Sequence, residues 1–223
     1  MILADLDGDR ARQAAASLSD PPGSTIGAAL DATAPSDHDA VANLAMEELG
    51  GLDVWVNNAG IFPFDGLLEL TDEQWRRVVS LNLDGVLWGC RAAGRAMRDT
   101  ADGGCIINMS STAGYKATSV GRAHYIAAKH GVIGLTKSVA LEMAPYGIRS
   151  IALAPTFTTT EGVAERVAAT GAAGRARTAA AALPAGRVGL PDDIARVALF
   201  CASPLAGYVT GVTIPVDGGD TAT

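Results

Sequence analysis

A tyrosine and a lysine four residues apart, Tyr125 and Lys129, are the side chains of this sequence best suited to acid–base chemistry. On an α-helix this spacing places both on one face, so an ammonium group can lie beside a phenol and favour its ionised form. A phenol whose pKa is about 10 needs that pKa lowered by roughly two or three units to exchange protons at neutral pH. One lysine seldom supplies that much, so we expect a second positive charge nearby, such as an oxidised nicotinamide ring.

The elements that must position this pair alternate between short β-rich runs and segments of helical period. The predicted strands are 1–4, 24–28, 54–56, 105–108, 150–153 and 213–216, and the clearest predicted helices are 37–49, 72–98, 125–144 and 191–202. The strands lack polar alternation, as expected where both faces of a parallel sheet are covered. The sequence therefore predicts one α/β domain, residues 1–223, with a doubly wound parallel sheet.

Composition narrows the classes of partner. The chain has 17 Lys plus Arg against 24 Asp plus Glu, a formal net charge of -7 and a sequence pI near 4.9. Nucleic acid is not expected as a partner, because affinity for a phosphate backbone comes from clustered Lys and Arg. No apolar stretch approaches the ~18 residues of a membrane span, and acids stand where a secretory signal would carry bases. We expect a cytoplasmic protein with no membrane partner.

The cysteines are Cys90, Cys105 and Cys201, an odd number of residues set far apart in apolar segments. This distribution favours reduced thiols in the core over a disulfide framework or a metal site.

Short motifs along the whole chain resemble those of the classical short-chain dehydrogenase/reductase family. They are NNAG at 57–60, Asn82 within SLNLDGV, Ser111 before TAG, Tyr125-x-x-x-Lys129, GIRS from Gly147, GRVGLPDDIA from Gly186 and YVTGVTIPVDGG from Tyr208. A Tyr-x-x-x-Lys pair alone arises by chance on many amphipathic helices, but these motifs follow one another in family order. The resemblance implies an NAD(P)-dependent oxidoreductase with a Rossmann-like sheet.

The resemblance also implies a role for each residue of the site. Tyr125 would be the general acid/base, which protonates a carbonyl oxygen in reduction and accepts the hydroxyl proton in oxidation. Ser111 would hydrogen-bond to the same oxygen, Lys129 would lower the pKa of the tyrosine and hold the nicotinamide ribose, and Asn82 would keep a water in a proton relay. Simpler interpretations are a strand-end hydroxyl that satisfies a loop for Ser111 and a helix amide bonded to backbone for Asn82.

The cofactor would lie along the carboxyl ends of the strands, where ligands of this architecture bind. In the family, an acid in the place of Asp5 accepts the adenine ribose hydroxyls and its charge repels a 2′-phosphate, so NAD is favoured over NADP. Arg10 could still meet a 2′-phosphate, so NADP is not excluded as the cofactor. Asp31 would lie beside the adenine. The other cofactor-binding residues implied are Asn58, Ala59, Gly60, Tyr125, Lys129, Pro155, Thr158 and Thr160.

One part of the family pattern is missing. A glycine-rich phosphate turn is expected about twenty residues before the ribose acid, yet only four residues precede Asp5 and no G-x-G-x-x-G follows a strand elsewhere. The first β-α unit of the pattern is thus absent. The assigned start can be too far downstream, which the position of Met1 within a strand favours. Alternatively, the short chain binds the dinucleotide poorly, or neighbouring strands or a partner close the gap.

Two functions follow from this sequence. The first is an NAD-dependent oxidoreductase that interconverts a secondary alcohol and a ketone, and the second is a non-catalytic or cofactor-deficient subunit. The family resemblance implies a homodimer or homotetramer for both, because the helices beginning near Asp72 and Tyr125 resemble those that pair across the family's dimer interface and the C-terminal VDGG segment resembles another contact. Segment 156–187, rich in Ala, Gly and Thr, predicts either a substrate lid or a loosely packed surface helix. The side chains that would shape an apolar substrate site, although residues of this kind more often lie in a core, are Phe62, Phe64, Trp88, Met97 and Phe157.

Overall fold

The computed structural model describes residues 1–18, 25–100, 103–160 and 183–222, which form parallel strands flanked by helices. The strands are β1 (Ile2–Asp5), β2 (Ile26–Ala29), β3 (Val54–Asn57), β4 (Gly104–Met109), β5 (Ile148–Pro155) and β6 (Thr213–Val216). The helices are α1 (Gly8–Ser17), α2 (Pro35–Leu49), α3 (Asp72–Val79), α4 (Gly85–Thr100), α5 (Ala123–Met143) and α6 (Pro191–Ala202). Every predicted strand and helix is present, with its ends shifted by a few residues, and the α/β class is confirmed.

Local sequence explains where several helices begin. The Asp7 side chain accepts hydrogen bonds from the backbone N–H groups of Asp9 and Arg10 and so caps α1. Thr71 and Gln74 form a reciprocal capping box at the start of α3. The predicted helix 72–98 is interrupted at Ser80–Asp84, where one π-helical turn joins α3 to α4. Such turns are often found at functional sites.

The strands form two parallel sheets rather than one. β1 pairs with β2, and β3, β4, β5 and β6 pair in that order. Within the described ranges no backbone ladder joins β1 to β3, so these two strands are not paired with each other. Helix α2 contacts both β1 and α4, and this packing holds the smaller sheet beside the larger one.

Helices cover both faces of the larger sheet, as a doubly wound fold requires. Successive residues of β4 point to opposite faces, so Ile106 packs among residues of α4 and α5, whereas Cys105 and Ile107 pack with residues of α6. On β3 the pattern is uneven. Trp55 is buried, while Val54 and Val56 are half exposed, which leaves one face of this strand uncovered by the described residues.

The three cysteines are free and buried, so the prediction of reduced core thiols is confirmed. Burial raises the pKa of the Cys90 thiol to about 12, which keeps it protonated and unreactive near neutral pH.

The predicted lid, residues 156–187, lies mostly outside the described residues. Residues 156–160 and 183–187 are described, and Thr158 forms a parallel bridge with Gly189, which lies just after the second of these segments. The lid itself therefore stays a prediction.

A buried polar network lies beneath the carboxyl ends of β3 and β4. The Asn57 side chain accepts a hydrogen bond from Trp55 Nε1 at 2.7 Å and donates to Asn108 Oδ1 at 2.8 Å. Asn108 in turn donates to Thr136 Oγ1 in α5 at 3.0 Å. A network satisfied in this way ties β3, β4 and α5 together at fixed spacing, directly behind the strand ends.

The network predicts a sharp difference between two glycine substitutions. In Gly89→Ala, the new methyl group would overlap the Asn57 amide oxygen and approach Trp55 Nε1 within 2.8 Å. We expect Gly89→Ala to lower the free energy of unfolding by about 1–3 kcal/mol, because the overlap outweighs the gain in helix propensity. The measurement is urea denaturation.

Gly134→Ala in α5 is the matched control, because an added methyl group there meets no atom within 4 Å. It should raise the free energy of unfolding by roughly 0.5–1 kcal/mol through helix propensity. Equal effects of the two substitutions would contradict the packing described for Gly89.

Candidate active site

The carboxyl ends of β3, β4 and β5 meet at one edge of the larger sheet, where ligands of this architecture bind. Ser111 follows β4, and its hydroxyl donates a hydrogen bond to the carbonyl of Pro155 at the end of β5, over 3.4 Å. The same hydroxyl oxygen accepts from the N–H of Ala113 at 3.1 Å and so caps the short turn Thr112–Gly114. Ser111 thus satisfies a loop, as the simpler interpretation predicts, and is also held at the sheet edge.

The structure brings Tyr125, Lys129 and Ser111 together. Ser111 lies near enough to the Tyr125 hydroxyl to lower the pKa of the phenol, and Lys129 Nζ lies 5.7 Å from the centre of the Tyr125 ring. Lys129 is buried, and its ammonium donates to the carbonyl of Met109, the last residue of β4, at 2.6 Å. Helix α5 therefore carries the phenol and the ammonium on the face that meets the end of β4.

The electrostatics of the phenol differ from the expectation based on spacing. Burial raises the pKa of Tyr125, and the hydrogen bond with Ser111 and the charge of Arg122 lower it only in part. Burial also lowers the pKa of Lys129 to about 8. Desolvation opposes both charges, and at Tyr125 it outweighs the effects of Ser111 and Arg122. The protein alone does not make this phenol acidic, which agrees with the need for a second positive charge.

Asn82 lies in the π-helical turn Ser80–Asp84, fully buried. Its Nδ2 donates to the carbonyls of Ile61 at 2.9 Å and Val78 at 3.0 Å, so the predicted bonding to backbone is present. Its Oδ1 is also buried and has no hydrogen-bond partner among the described residues. A buried acceptor of this kind is costly unless it receives a donor, which identifies it as a place for a water or a ligand hydroxyl.

Gly60 lies against Asn82 and Lys129. A methyl group added to Gly60 would come within 2.7 Å of Asn82 Oδ1 and 3.8 Å of Lys129 Nζ. Residue 60 therefore packs directly against the Asn82 amide, and a side chain there would displace that amide. Asn58 and Ala59, which precede Gly60, are exposed at the same strand end.

The start of α5 is fixed by a contact that sequence reasoning missed. His124 is fully buried, and its Nδ1 accepts the N–H of Tyr125 at 2.8 Å, so the ring proton is on Nε2 and is donated to Asp65 Oδ2 at 2.9 Å. Asp65 Oδ1 accepts from the Gln74 side chain at 2.7 Å. These hydrogen bonds connect Asp65, in the loop after β3, to His124, the residue beside Tyr125. In the sequence, the only sign of this contact is the histidine that directly precedes Tyr125.

Arg122 was also missed by sequence reasoning. Its guanidinium carbon lies 4.0 Å from the ring centre of Phe64, 5.8 Å from that of Phe62 and 5.7 Å from that of Tyr125. Phe62 and Phe64, both predicted to shape the substrate site, therefore lie around the same guanidinium as the Tyr125 ring. Met97, predicted with them, is instead fully buried in the core cluster, because α4 turns it toward the sheet.

The residues predicted to hold the cofactor lie at successive strand ends. Asp5 ends β1 and is exposed, while Asp31 follows β2 and has a lowered pKa because Thr33 donates hydrogen bonds to it. Pro155 ends β5. Thr158 donates its hydroxyl to the carbonyl of Thr156 at 3.0 Å, so this group faces its own loop. Thr160 is exposed at the end of the described segment.

These residues fit the nicotinamide half of a dinucleotide. The buried Asn82 oxygen, which has no partner among the described residues, and the Lys129 ammonium both lie close to Gly60 at the sheet edge. In the part of the chain that the structure describes, no group of three or more His, Cys, Asp or Glu side chains could hold a metal ion. Nor does any described helix combine the length and apolarity that crossing a membrane requires.

The chain is similar in sequence and in fold to several known proteins. A family model described as enoyl-(acyl carrier protein) reductase matches residues 1–221. A 3beta-hydroxysteroid dehydrogenase of Eggerthella lenta is 40% identical over 217 residues, which are 96% of this chain and 81% of that protein. A trans-4-hydroxycyclohexanecarboxylate dehydrogenase of Sinomonas cyclohexanicum is 38% identical over 193 residues, which are 86% of this chain and 70% of that protein. The solved structure of a short-chain type dehydrogenase/reductase from Mycobacterium marinum matches with a TM-score of 0.90 and 31% identity over 100% of this chain and 85% of that one.

Proposed function

This chain belongs to the short-chain dehydrogenase/reductase family of oxidoreductases, and on that premise we propose that it interconverts a secondary alcohol and a ketone, with Tyr125 as the general acid/base. The observation that carries the proposal is the meeting of three groups at the sheet edge: Ser111, held to the end of β5, the Lys129 ammonium, held to the end of β4, and the Tyr125 ring, 5.7 Å from that ammonium. The names of two relatives, a 3beta-hydroxysteroid and a trans-4-hydroxycyclohexanecarboxylate dehydrogenase, support a secondary alcohol as the reacting group.

A nicotinamide cofactor supplies or accepts the hydride in this chemistry. In reduction, the carbonyl carbon gains the hydride, and the carbonyl oxygen takes the proton of Tyr125, so that a neutral alcohol forms. Ser111 donates a hydrogen bond to that oxygen and stabilises the negative charge that develops on it. The tyrosine then recovers a proton through Lys129 and a donor held by the Asn82 oxygen. Oxidation reverses each proton movement.

The residues proposed to hold the cofactor are those at the strand ends. Lys129 and Asn58 to Gly60 would hold the nicotinamide ribose, with Pro155, Thr158 and Thr160 beside the carboxamide and phosphates. Asp5 would accept the adenine ribose hydroxyls, with Asp31 beside the adenine. Because Asp5 is an exposed carboxylate, a 2′-phosphate would meet like charge there, and we propose NAD rather than NADP.

We propose a cytoplasmic homodimer or homotetramer. Leu87 on α4 and Leu141 on α5 are exposed, and so are Leu205 and Tyr208 near the C-terminus. Apolar side chains exposed on paired helices suit contacts between copies of one chain.

The test is hydride transfer, followed by nicotinamide absorbance with each cofactor. The panel holds a 3β-hydroxysteroid, trans-4-hydroxycyclohexanecarboxylate and simple cyclic and acyclic ketones. We expect turnover of at least one member, with a larger kcat/KM for NAD than for NADP. Absence of turnover with both cofactors across the panel would count against the proposal. The assay is repeated with a form extended at its N-terminus by the glycine-rich β-α unit of a relative. Turnover by the extended form alone would indicate that the 223-residue chain binds the cofactor weakly. Turnover by neither form would indicate that the chemistry itself fails.

A second candidate function is a subunit that keeps the fold without turnover. It is favoured by the separation of β1 from β3, because no backbone ladder joins these strands in the described residues. A strand followed by a helix N-terminus at that position would offer backbone N–H groups to a pyrophosphate. Calorimetric titration of the 223-residue protein with NAD decides between the two. Binding in the micromolar range supports catalysis, whereas no heat of binding together with a stable oligomer supports the subunit.

A further inference from the structure

We infer that His124 and Asp65 are positioning residues, which hold Tyr125 at the place where its hydroxyl can reach a bound carbonyl group. This inference rests on the proposed function, because it concerns the residue proposed as the general acid/base. It is carried by the hydrogen bond between the His124 ring and the backbone of Tyr125, and by the hydrogen bond that ties the same ring to Asp65 in the loop after β3.

The backbone N–H of Tyr125 lies in the first turn of α5, where the helix itself has no carbonyl to accept it. Ile126 donates its N–H to the carbonyl of Arg122 at 2.8 Å and so begins the helical pattern one residue later. Arg122 is at the N-cap position, but an arginine side chain only donates hydrogen bonds and cannot accept a backbone N–H. His124 Nδ1 accepts the Tyr125 N–H at 2.8 Å and therefore does the work of a cap.

Asp65 fixes the His124 ring from its other side. Its Oδ2 accepts from His124 Nε2 at 2.9 Å, and its Oδ1 accepts from the Gln74 side chain at 2.7 Å. The N–H of Asp65 also donates to the carbonyl of Gly121 at 2.9 Å, so this residue contacts the chain just before α5 at two points. The His124 side chain is fully buried, and the Asp65 side chain is only 17% exposed, so water competes little for these bonds.

The first turn of α5 is where the proposed site most needs such support. Lys129 lies one turn further along and is anchored separately, since its ammonium donates to the carbonyl of Met109. Tyr125 lies at the helix end, where helices fray. Proton transfer needs heavy atoms within about 2.6–3.2 Å of each other, and a displacement of about 1 Å can cost about 10²-fold in rate. Loss of the bonds to His124 would therefore impair the phenol while Lys129 keeps its place.

The test is His124→Gln. The glutamine amide can take the place of Nε2 and still donate to Asp65, but it puts no acceptor at the position of Nδ1. We expect kcat for the best ketone of the panel to fall about 10- to 100-fold, because the displaced phenol transfers its proton less often. The KM for NAD should not change, because Lys129 and the strand ends keep their contacts.

Two further variants separate positioning from a general loss of structure. His124→Asn puts an amide oxygen at the position of Nδ1, where it can accept the Tyr125 N–H, and should restore part of kcat. His130→Gln makes the same change as His124→Gln at an exposed position of α5 and should leave kcat unchanged.

A second measurement does not require turnover. Burial raises the pKa of the Tyr125 phenol, and the tyrosinate absorbance of a protein, minus that of its Tyr125→Phe form, follows this phenol alone. In His124→Gln the pKa should fall toward the ordinary value of 10.0, because the displaced ring gains contact with water.

An unchanged kcat in His124→Gln would overturn the inference, as would equal losses in His124→Gln and His124→Asn. If the wild-type protein turns over no substrate, the proposed function fails, and the phenol pKa then decides the inference, which an unchanged pKa overturns. Thermal unfolding is measured for each variant. If His124→Gln does not fold, His124→Asn is compared with the wild type, because it loses the bond to Asp65, and an unchanged kcat would again overturn the inference.

Discussion

Replacing Tyr125 with phenylalanine is expected to lower kcat by about 10²- to 10⁴-fold, the contribution of a well-placed general acid or base. The substitution removes only the hydroxyl that Ser111 contacts and keeps the ring that lies beside Arg122 and Lys129. Ser111 and Lys129 keep their contacts with Pro155 and Met109, so the loss of activity reports on the phenol hydroxyl.

The measurement is steady-state turnover with the best substrate of the panel, together with thermal unfolding. The unfolding temperature should move by only a few degrees, because one lost hydrogen bond is worth about 1 kcal/mol. Tyr146→Phe removes the same atom from an exposed ring that belongs to neither the proposed site nor the proposed subunit contact, and it should leave turnover unchanged. Retained activity in Tyr125→Phe would remove the phenol from the mechanism.

The strands, the helices and the pair of Tyr125 and Lys129 could be predicted because they depend on local sequence. Strands buried on both faces read as short apolar runs, and the four-residue spacing of Tyr125 and Lys129 places them together on any helix. The burial of Cys90, Cys105 and Cys201 followed in the same way from the apolar segments that contain them.

The contacts that refine the site depend on residues far apart in the chain, and spacing cannot show these. Asp65 meets His124 across 59 positions, and Arg122 meets Phe64 only because that loop lies over the start of α5. The π-helical turn at Asn82 interrupts a segment whose apolar period reads as one helix. Desolvation of Tyr125 and Lys129 likewise depends on the packed fold, so the direction of their pKa shifts could not be read from their spacing.

The unusual state of Lys129 predicts a pH dependence of stability. Its pKa in the folded protein is about 8, well below the ordinary value of 10.5, because burial disfavours the charged form. Below pH 8 the lysine is protonated in both states, and folding bears the full cost of the buried charge. Between pH 8 and about 10.5 the unfolded chain still binds the proton while the folded protein releases it. The free energy of unfolding therefore rises with pH across this window.

The titration of Tyr125 sets the upper end of the pH range over which the free energy of unfolding rises. Its pKa in the folded protein is raised above 10, so beyond that pH the unfolded phenol loses its proton first and stability falls again. The clean range is thus pH 8 to 10. Over these two units the lysine alone contributes about 2–3 kcal/mol, at roughly 1.4 kcal/mol for each pH unit.

The experiment measures urea unfolding of the wild-type protein and of Lys129→Met at pH 7, 8, 9 and 10. The difference between their free energies of unfolding cancels the titration of the tyrosines and cysteines, and it should change by about 2–3 kcal/mol in favour of the wild type between pH 8 and 10. Lys137→Met, an exposed lysine on the same helix, should follow the wild-type curve. Parallel curves for the wild type and Lys129→Met would mean that the Lys129 ammonium is not desolvated, and the proton would then be held too tightly for Lys129 to return it to Tyr125 near neutral pH.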